Sequence, residues 1–202
     1  MTFVDVKRKL SNDKAIRVLA SARQEFARWG FAGGRVDRIV AAAGVNRQLL
    51  FYYYQSKRGL FHAVLHQAAG ELEQSLAGAA VREGAPLDRL RAALTAQFDY
   101  LTRHPDLVNL LTHGTRVEAG VFAPAIKRLV VLLAEGQGLG QVRGDVDPHV
   151  AAAQALVLML GYLRLEPMIA ASAPALTGDA PALRARWMRS AVDLFLEGVR
   201  AG

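Results

Sequence analysis

The chain has 202 residues, 52% of them hydrophobic, with a formal net charge of +7 and no cysteine. This composition excludes a disordered chain, a disulfide framework, thiol chemistry and a cysteine-based zinc site, and the length allows one or two domains with a sizeable core. The run from Met1 to Lys9 lacks the apolar stretch of a signal peptide, and the apolar stretch 150–163 is too short to span a bilayer, so a cytoplasmic protein without a membrane partner is expected.

The first predicted helix starts after the cap candidates Ser11 and Asn12. It carries Ala15, Leu19, Ala22, Phe26 and Trp29 at helical spacing and ends at Gly30. Val36, Ile39, Val40 and Ala43 mark a second, two-turn helix that Gly44 breaks. Asn46 is a good N-cap, because its side-chain oxygen can accept from the first turn's backbone N–H groups, so a third helix starts at Arg47. Leu50 and Tyr54 then face a core, and Gln48 and Tyr52 face the other way. Helix, tight turn with glycine, helix is the helix-turn-helix pattern of DNA readers.

Ser56 caps a fourth helix with Leu60, Phe61, Val64, Leu65 and Ala68, which continues as a linker to about residue 77. Pro86 opens a fifth with Leu87, Leu90, Leu94, Phe98 and Leu101, which His104-Pro105 stops. Pro105 starts a sixth with Leu107, Leu110 and Leu111, and Phe122–Glu135 forms a seventh. Gly136, Gly138, Gly140 and Gly144 predict a flexible turn region. Asp147-Pro148 opens an eighth helix, Val150–Glu166, ended by Pro167. After a proline-rich loop, Asp179 can cap the ninth, Ala182–Arg200. The fold class is all-α with about nine helices: residues 1–60 as a three-helix helix-turn-helix domain for DNA, and 61–202 as a larger helical domain.

Charge supports this division. Residues 1–60 hold twelve Lys/Arg against four Asp/Glu, and residues 61–202 hold thirteen against fourteen, so the excess positive charge lies in the first third. A basic segment beside a neutral one is the footprint of phosphate binding by counterion release, although a basic face can also be merely solvated. Nothing points to catalysis. There is no Gly-x-Ser-x-Gly elbow and no phosphate loop, and the glycines at 136–144 lack the flanks of a nucleotide fingerprint. His62 and His66 are four apart, but no His-Glu-x-x-His pattern accompanies them. We expect no enzyme activity, metal or cofactor.

The run from Ala15 to Leu65, with Phe26, Gly30-Phe31, Val36, Ile39, Ala42-Ala43-Gly44-Val45, Leu50, Tyr52, Tyr54, Ser56-Lys57 and Leu60-Phe61, closely resembles the N-terminal domain of the tetracycline-repressor (TetR/AcrR) family. The resemblance implies a homodimeric regulator, in most members a repressor, that binds operator DNA and is released by a small effector in its C-terminal domain. Arg47 and Gln48 stand where a groove-inserted helix meets base edges, Arg suiting guanine and Gln adenine. By the resemblance Tyr52 and Tyr53 approach phosphate or base methyls, and Lys57 contacts phosphate at a helix start. Arg35 stands where a hydroxyl residue is frequent, and its cation can take over a phosphate contact. Three residues depart from the family pattern. Gly34 replaces a capping Thr, Leu49 a small residue, and Phe51 a Tyr; Leu49 can pack on a thymine methyl.

Candidate effector-pocket residues are Gln97, Phe98, Leu101, Leu107, Asn109, Leu111, His113, Arg116, Phe122, Met159 and Tyr162, for a hydrophobic or amphipathic ligand. Composition alone does not separate such a pocket from plain core. The dimer seam is expected on the last two helices. Val150, Val157, Leu160 and Gly161 lie on one, and Leu183, Trp187, Ala191, Leu194 and Gly198 on the other, so that two chains would form a four-helix bundle. The competing readings are a helical small-molecule carrier and a protein-interaction module without sequence-specific DNA binding.

Overall fold

The computed structural model describes residues 3–80, 83–112, 120, 122–172 and 180–202. Nine α-helices are found among them: α1 Phe3–Gly33, α2 Val36–Ala43, α3 Arg47–Tyr54, α4 Lys57–Ala80, α5 Pro86–Arg103, α6 Pro105–Thr112, α7 Ala123–Gly138, α8 Pro148–Ser172 and α9 Ala180–Val199. Beyond these helices, an isolated antiparallel bridge joins Val142 and Arg200. The all-α expectation holds. The chain forms two compact units, Met1–Ala69 with Asn109–Glu118, and Gly70–Val108 with Ala119–Gly202, and both α4 and α6 run from one into the other.

In the first unit, Val18, Ala22 and Phe26 of α1 are buried with Ile39, Ala43 and Leu50, and with Leu60, Phe61, Val64 and Leu65 of α4. The Phe26 ring meets Phe61 edge-on with centroids 5.1 Å apart, and Phe31 closes on Phe61 at 5.2 Å. The α1 start differs from expectation. The helix begins at Phe3, not after Ser11 and Asn12, because residues 3–12 contain no Gly or Pro and a cap residue inside a run of helix formers does not stop it. Gly30 does interrupt the helix, at φ 66° and ψ 179°, a backbone conformation reserved for glycine, after which the chain turns helically again to Gly33.

The turn into α3 follows the sequence. Gly44 ends α2 in the left-handed conformation at φ 64°, and the Asn46 side chain accepts the Leu49 N–H at 2.8 Å. At the other end, Gln55 takes φ 62°, and Ser56 Oγ accepts the Gly59 N–H at 2.9 Å. The Tyr54 hydroxyl donates to the Ala15 carbonyl at 3.1 Å, tying α3 to α1; burial pushes this phenol up, so it stays a neutral donor.

The second unit is built on α5, α7, α8 and α9, whose buried residues include Leu90, Leu94, Phe98, Leu129, Leu133, Met159, Val192 and Leu196. Two expectations need correction here. The glycine-rich stretch is not a free turn: α7 runs on to Gly138, Gly136 is buried under Val142, and the Gln137 side chain donates to the carbonyls of Arg143 at 2.9 Å and Val146 at 2.7 Å. Pro167 does not end α8, which continues to Ser172. Proline removes one backbone bond, but Ile169 beyond it packs against the core and repays the continuation.

The longer α8 also corrects the estimate that this stretch is too short for a bilayer, since at 25 residues it is long and apolar enough to cross one by length and composition. Seven of its residues are buried in the second unit. Asp179, the expected α9 cap, lies outside the described residues.

A Cβ at Gly59 would lie 2.1 Å from the Tyr54 carbonyl oxygen, a backbone atom that cannot swing away. Gly59→Ala is therefore expected to lower stability by about 1–3 kcal/mol. Chemical denaturation checks this, and unchanged stability would show that the α3–α4 turn yields without cost.

Candidate nucleic-acid interface

One face of α3 is anchored and the other is open. Leu50 is fully buried and Tyr54 half-buried, while Arg47 and Gln48 are exposed, and Tyr52 is 79% exposed. Leu49 and Tyr53 sit at the margin, half-buried, with the Tyr53 ring edge-on to Tyr52 at 5.4 Å. Phe51 is 39% exposed without a hydroxyl. Arg47 is already engaged: its Nε lies 2.8 Å from Asp37 Oδ1 and its Nη2 donates to Asp37 Oδ2 at 3.1 Å.

The start of α2 is held from α1. Arg35 precedes the helix in extended conformation and offers no side-chain cap. Glu25 supplies one instead, its Oε1 accepting the Arg35 N–H at 2.8 Å and the Arg38 Nε at 2.8 Å. The Arg35 side chain is left exposed. Gly34 replaces the family's Thr for a reason of space: a Cβ there would lie 2.6 Å from the Phe26 ring. Trp29, expected in the core stripe, is 48% exposed, with the Arg28 and Arg38 guanidinium carbons 5.0 and 5.2 Å from its ring centroid. The ten-residue separations of Glu25 from Arg35 and of Asp37 from Arg47 gave no periodic signal, so the sequence did not single out either acid.

Lys57 begins α4, its Nζ donating to the Ala32 carbonyl at 3.3 Å and lying 4.8 Å from the Phe31 ring centroid. Arg35, Arg47, Gln48, Tyr52 and Lys57 thus come from the starts of α2, α3 and α4 and from the outer face of α3, all within the first unit. Such a grouping of helix starts and cations suits the phosphates flanking a groove, with α3 as the inserted element.

The profile described as "Bacterial regulatory proteins, tetR family" matches residues 18–64, the span just built up. Among curated proteins, the chain is 26% identical over 194 residues to the HTH-type transcriptional repressor NicS of Pseudomonas putida, covering 91% of each chain. It is 37% identical over 95 residues to the HTH-type transcriptional repressor SCO4008 of Streptomyces coelicolor, covering 47% of this chain and 46% of that protein. A TetR transcriptional regulator from Chloroflexus aurantiacus shares the fold with a TM-score of 0.75 at 19% identity, over 96% of this chain and 100% of that one. The chain carries the DNA-binding segment of the TetR family at residues 18–64. It is a transcriptional regulator with a helix-turn-helix DNA-binding segment.

In the second unit, the pocket candidates scatter. Phe98, Leu101 and Met159 are buried, Phe122 is half-buried, and Gln97 is buried with its Nε2 lacking a partner among the described residues. Asn109 and Leu111 fall in the stretch grouped with the first unit, and His113 and Arg116 lie outside the described residues. Leu107 is fully buried. Tyr162 meets open space: with Glu166, Ile169, Leu183, Arg186, Trp187 and Ser190 it lines a cavity of about 330 Å³. The Trp187 ring stacks on Tyr162 with centroids 3.9 Å apart and on Phe98 at 5.8 Å. Glu166 accepts from Arg184 Nε with both oxygens, at 2.8 and 2.7 Å. Burial, with the Glu166 charge alongside, pushes the Tyr162 phenol up, and its hydroxyl has no hydrogen-bond partner among the described residues.

The seam candidates divide as well. Leu160 is buried within its own chain, Trp187 is half-buried in the aromatic stack, and Leu183 lines the cavity, so these three are used internally. Val150, Val157 and Leu194 are 52%, 69% and 73% exposed, and Gly198 is exposed beside them, while Gly161 and Ala191 are half-buried. Val150, Leu194 and Gly198 line one depression of about 340 Å³, and Leu158, 45% exposed, extends the apolar face of α8. Among the described residues no group of three or more His, Asp or Glu could hold a metal ion, so His62 and His66 gain no third ligand there.

Glu25 is 10% exposed in its side chain. Burial alone would raise its carboxyl, but the bonds from Arg38 and the Arg35 N–H, with the charges of Arg38 and Arg28, outweigh that and hold it below the ordinary carboxylate value of 4.5. A depressed folded-state pKa stabilises the fold above the unfolded value, and that stabilisation disappears as pH falls through the folded value. Melting of the parent and of Glu25→Gln is expected to differ most at neutral pH and to converge as pH falls below about 4.5. A gap that widens on acidification would contradict this account of the α2 anchor.

Proposed function

We propose that this regulator is a homodimeric repressor that binds an inverted-repeat operator through α3 and is released by a small hydrophobic or amphipathic effector. The observation that carries the proposal is the open face of α3. Arg47, Gln48 and Tyr52 are exposed on a helix whose other face is locked by Leu50 and Tyr54. In this reading Arg47 and Gln48 read base edges, Leu49 packs on a thymine methyl, and Arg35, Tyr52, Tyr53 and Lys57 meet backbone phosphates or base methyls.

Dimerisation is assigned to the exposed apolar face of α8 and α9, centred on Val150, Val157, Leu158 and Leu194. Contiguous apolar surface of this kind is costly to leave in water and is self-complementary under a two-fold axis. The effector is assigned to the second unit, where the cavity beside Tyr162 and Trp187 offers an aromatic wall, a buried hydroxyl and the charged side chains of Glu166 and Arg186. Ligand can release operator only by favouring a conformer that binds DNA less well, and α4, continuous between the two units, is the element through which we expect that bias to pass. A cytoplasmic location follows from this role.

Gel shifts on duplexes carrying inverted repeats test the proposal. Binding should demand half-sites about one helical turn apart, ~10 bp centre to centre or a multiple, and should weaken steeply with salt. Leu194→Arg places a charge in the proposed seam and should yield monomers that lose the operator, while circular dichroism remains helical. A dimeric Leu194→Arg protein would move the seam elsewhere, and binding to random duplex as strong as to any repeat would overturn the assignment of α3.

A further inference from the structure

We propose that Asp37 is a specificity-determining positioning residue, which orients the Arg47 guanidinium so that its free edge reads one guanine. This rests on the assignment of Arg47 as a base reader. The geometry is a side-on fork: Nε and Nη2 of Arg47 engage the two Asp37 oxygens at 2.8 and 3.1 Å. A guanidinium has five N–H donors in one plane. The fork uses the Nε hydrogen and one Nη2 hydrogen, and leaves both Nη1 hydrogens and the outer Nη2 hydrogen free, one from each Nη lying parallel along the end-on edge. That edge is the pair of parallel donors that guanine O6 and N7 accept in the major groove. Asp37 thus occupies the edge of Arg47 that is not needed for reading and fixes the plane of the edge that is.

A carboxylate on this surface calls for such an explanation. Asp37 stands in the first turn of α2, its side chain 58% exposed, in a segment where cations outnumber acids twelve to four. Facing phosphates, it opposes non-specific binding. Its ion pair, with Arg47 60% exposed, contributes little to folding, as exposed pairs generally do. What it supplies is direction. An unrestrained Arg47 would reach any nearby phosphate and spend its charge without reading sequence. Held by Asp37, it gives up that freedom and discriminates. The acid therefore lowers affinity for DNA in general and raises the ratio of specific to random binding.

The experiment first selects binding sites from a randomised duplex pool with the parent protein. Single-base variants of the selected site, and a random duplex, are then titrated with the parent, Arg47→Ala, Asp37→Asn, Asp37→Glu and the Arg47→Ala/Asp37→Asn double variant. Arg47→Ala should abolish discrimination at one G·C pair in each half-site, a loss of about tenfold or more. Asp37→Asn should reduce discrimination at that same pair by about three- to tenfold, tighten random-duplex binding, and steepen its salt dependence by about one phosphate contact. Asp37→Glu should restore part of the discrimination.

In the Arg47→Ala background, Asp37→Asn should no longer alter base preference, which a purely structural role in α2 would not predict. If Arg47→Ala leaves base preference intact, the reading role of Arg47 fails, and the inference with it. If Arg47→Ala relaxes one pair but Asp37→Asn does not, or if Asp37→Asn acts equally in both backgrounds, the inference about Asp37 alone is overturned.

Discussion

The proposed reading surface depends on the packing of one side chain. Phe26 is fully buried in the first unit, with its ring perpendicular to that of Phe61 of α4 and packed against Gly34, where a Cβ would not fit. One aromatic ring thereby fixes the distance between α1, the start of α2 and α4. The short helix α3 is too brief to be stable alone. It persists because Leu50 enters the same core and Tyr54 bonds back to α1. Removing a buried Phe costs about 3–5 kcal/mol in general, and here the loss would fall on the element that presents Arg47 and Gln48.

The cations of this surface are not idle in the free protein. Arg47 holds Asp37, Arg38 holds Glu25, and Lys57 rests on the Ala32 carbonyl above the Phe31 ring. Exposed contacts of this kind are worth about 0–1 kcal/mol, so phosphate or a base edge can replace them at small cost. They differ in how firmly they are held. Glu25 is the best sheltered and doubles as the cap of α2, so it serves the fold, whereas Asp37 is exposed and serves orientation. The same ion-pair chemistry performs two tasks according to its burial.

Local signals made the helix-turn-helix legible from sequence. Gly44 and Asn46 mark the turn because a left-handed residue and a side-chain cap are needed at those positions, and Ser56 marks the start of α4 in the same way. Pro167 misled because a proline is weighed by the bond it removes, while the packing of Ile169 is a tertiary term that the local sequence does not display. Ser11 and Asn12 misled because a capping residue is a stop signal only where the preceding segment cannot be helical. Glu25, Asp37 and the Tyr162–Trp187 stack join residues ten or more positions apart, and no periodicity carries that information. Trp187 in particular has the spacing of an outward stripe, and only the stack with Tyr162 shows that it turns inward.

The second unit has one aromatic wall inside and an exposed apolar face on α8 and α9, whereas the residues assigned to DNA reading all belong to the first unit. We thus assign DNA reading and dimerisation to separate surfaces, and claim for DNA the surface formed by α3 with the starts of α2 and α4. Amide hydrogen exchange of the intact protein, with and without a duplex selected for binding, tests that claim most directly. Added protection is expected at the start of α2, throughout 47–57 and at the start of α4, with the exposed faces of α8 and α9 unchanged at constant oligomeric state. Protection confined to α8 and α9, with none on α3, would contradict it.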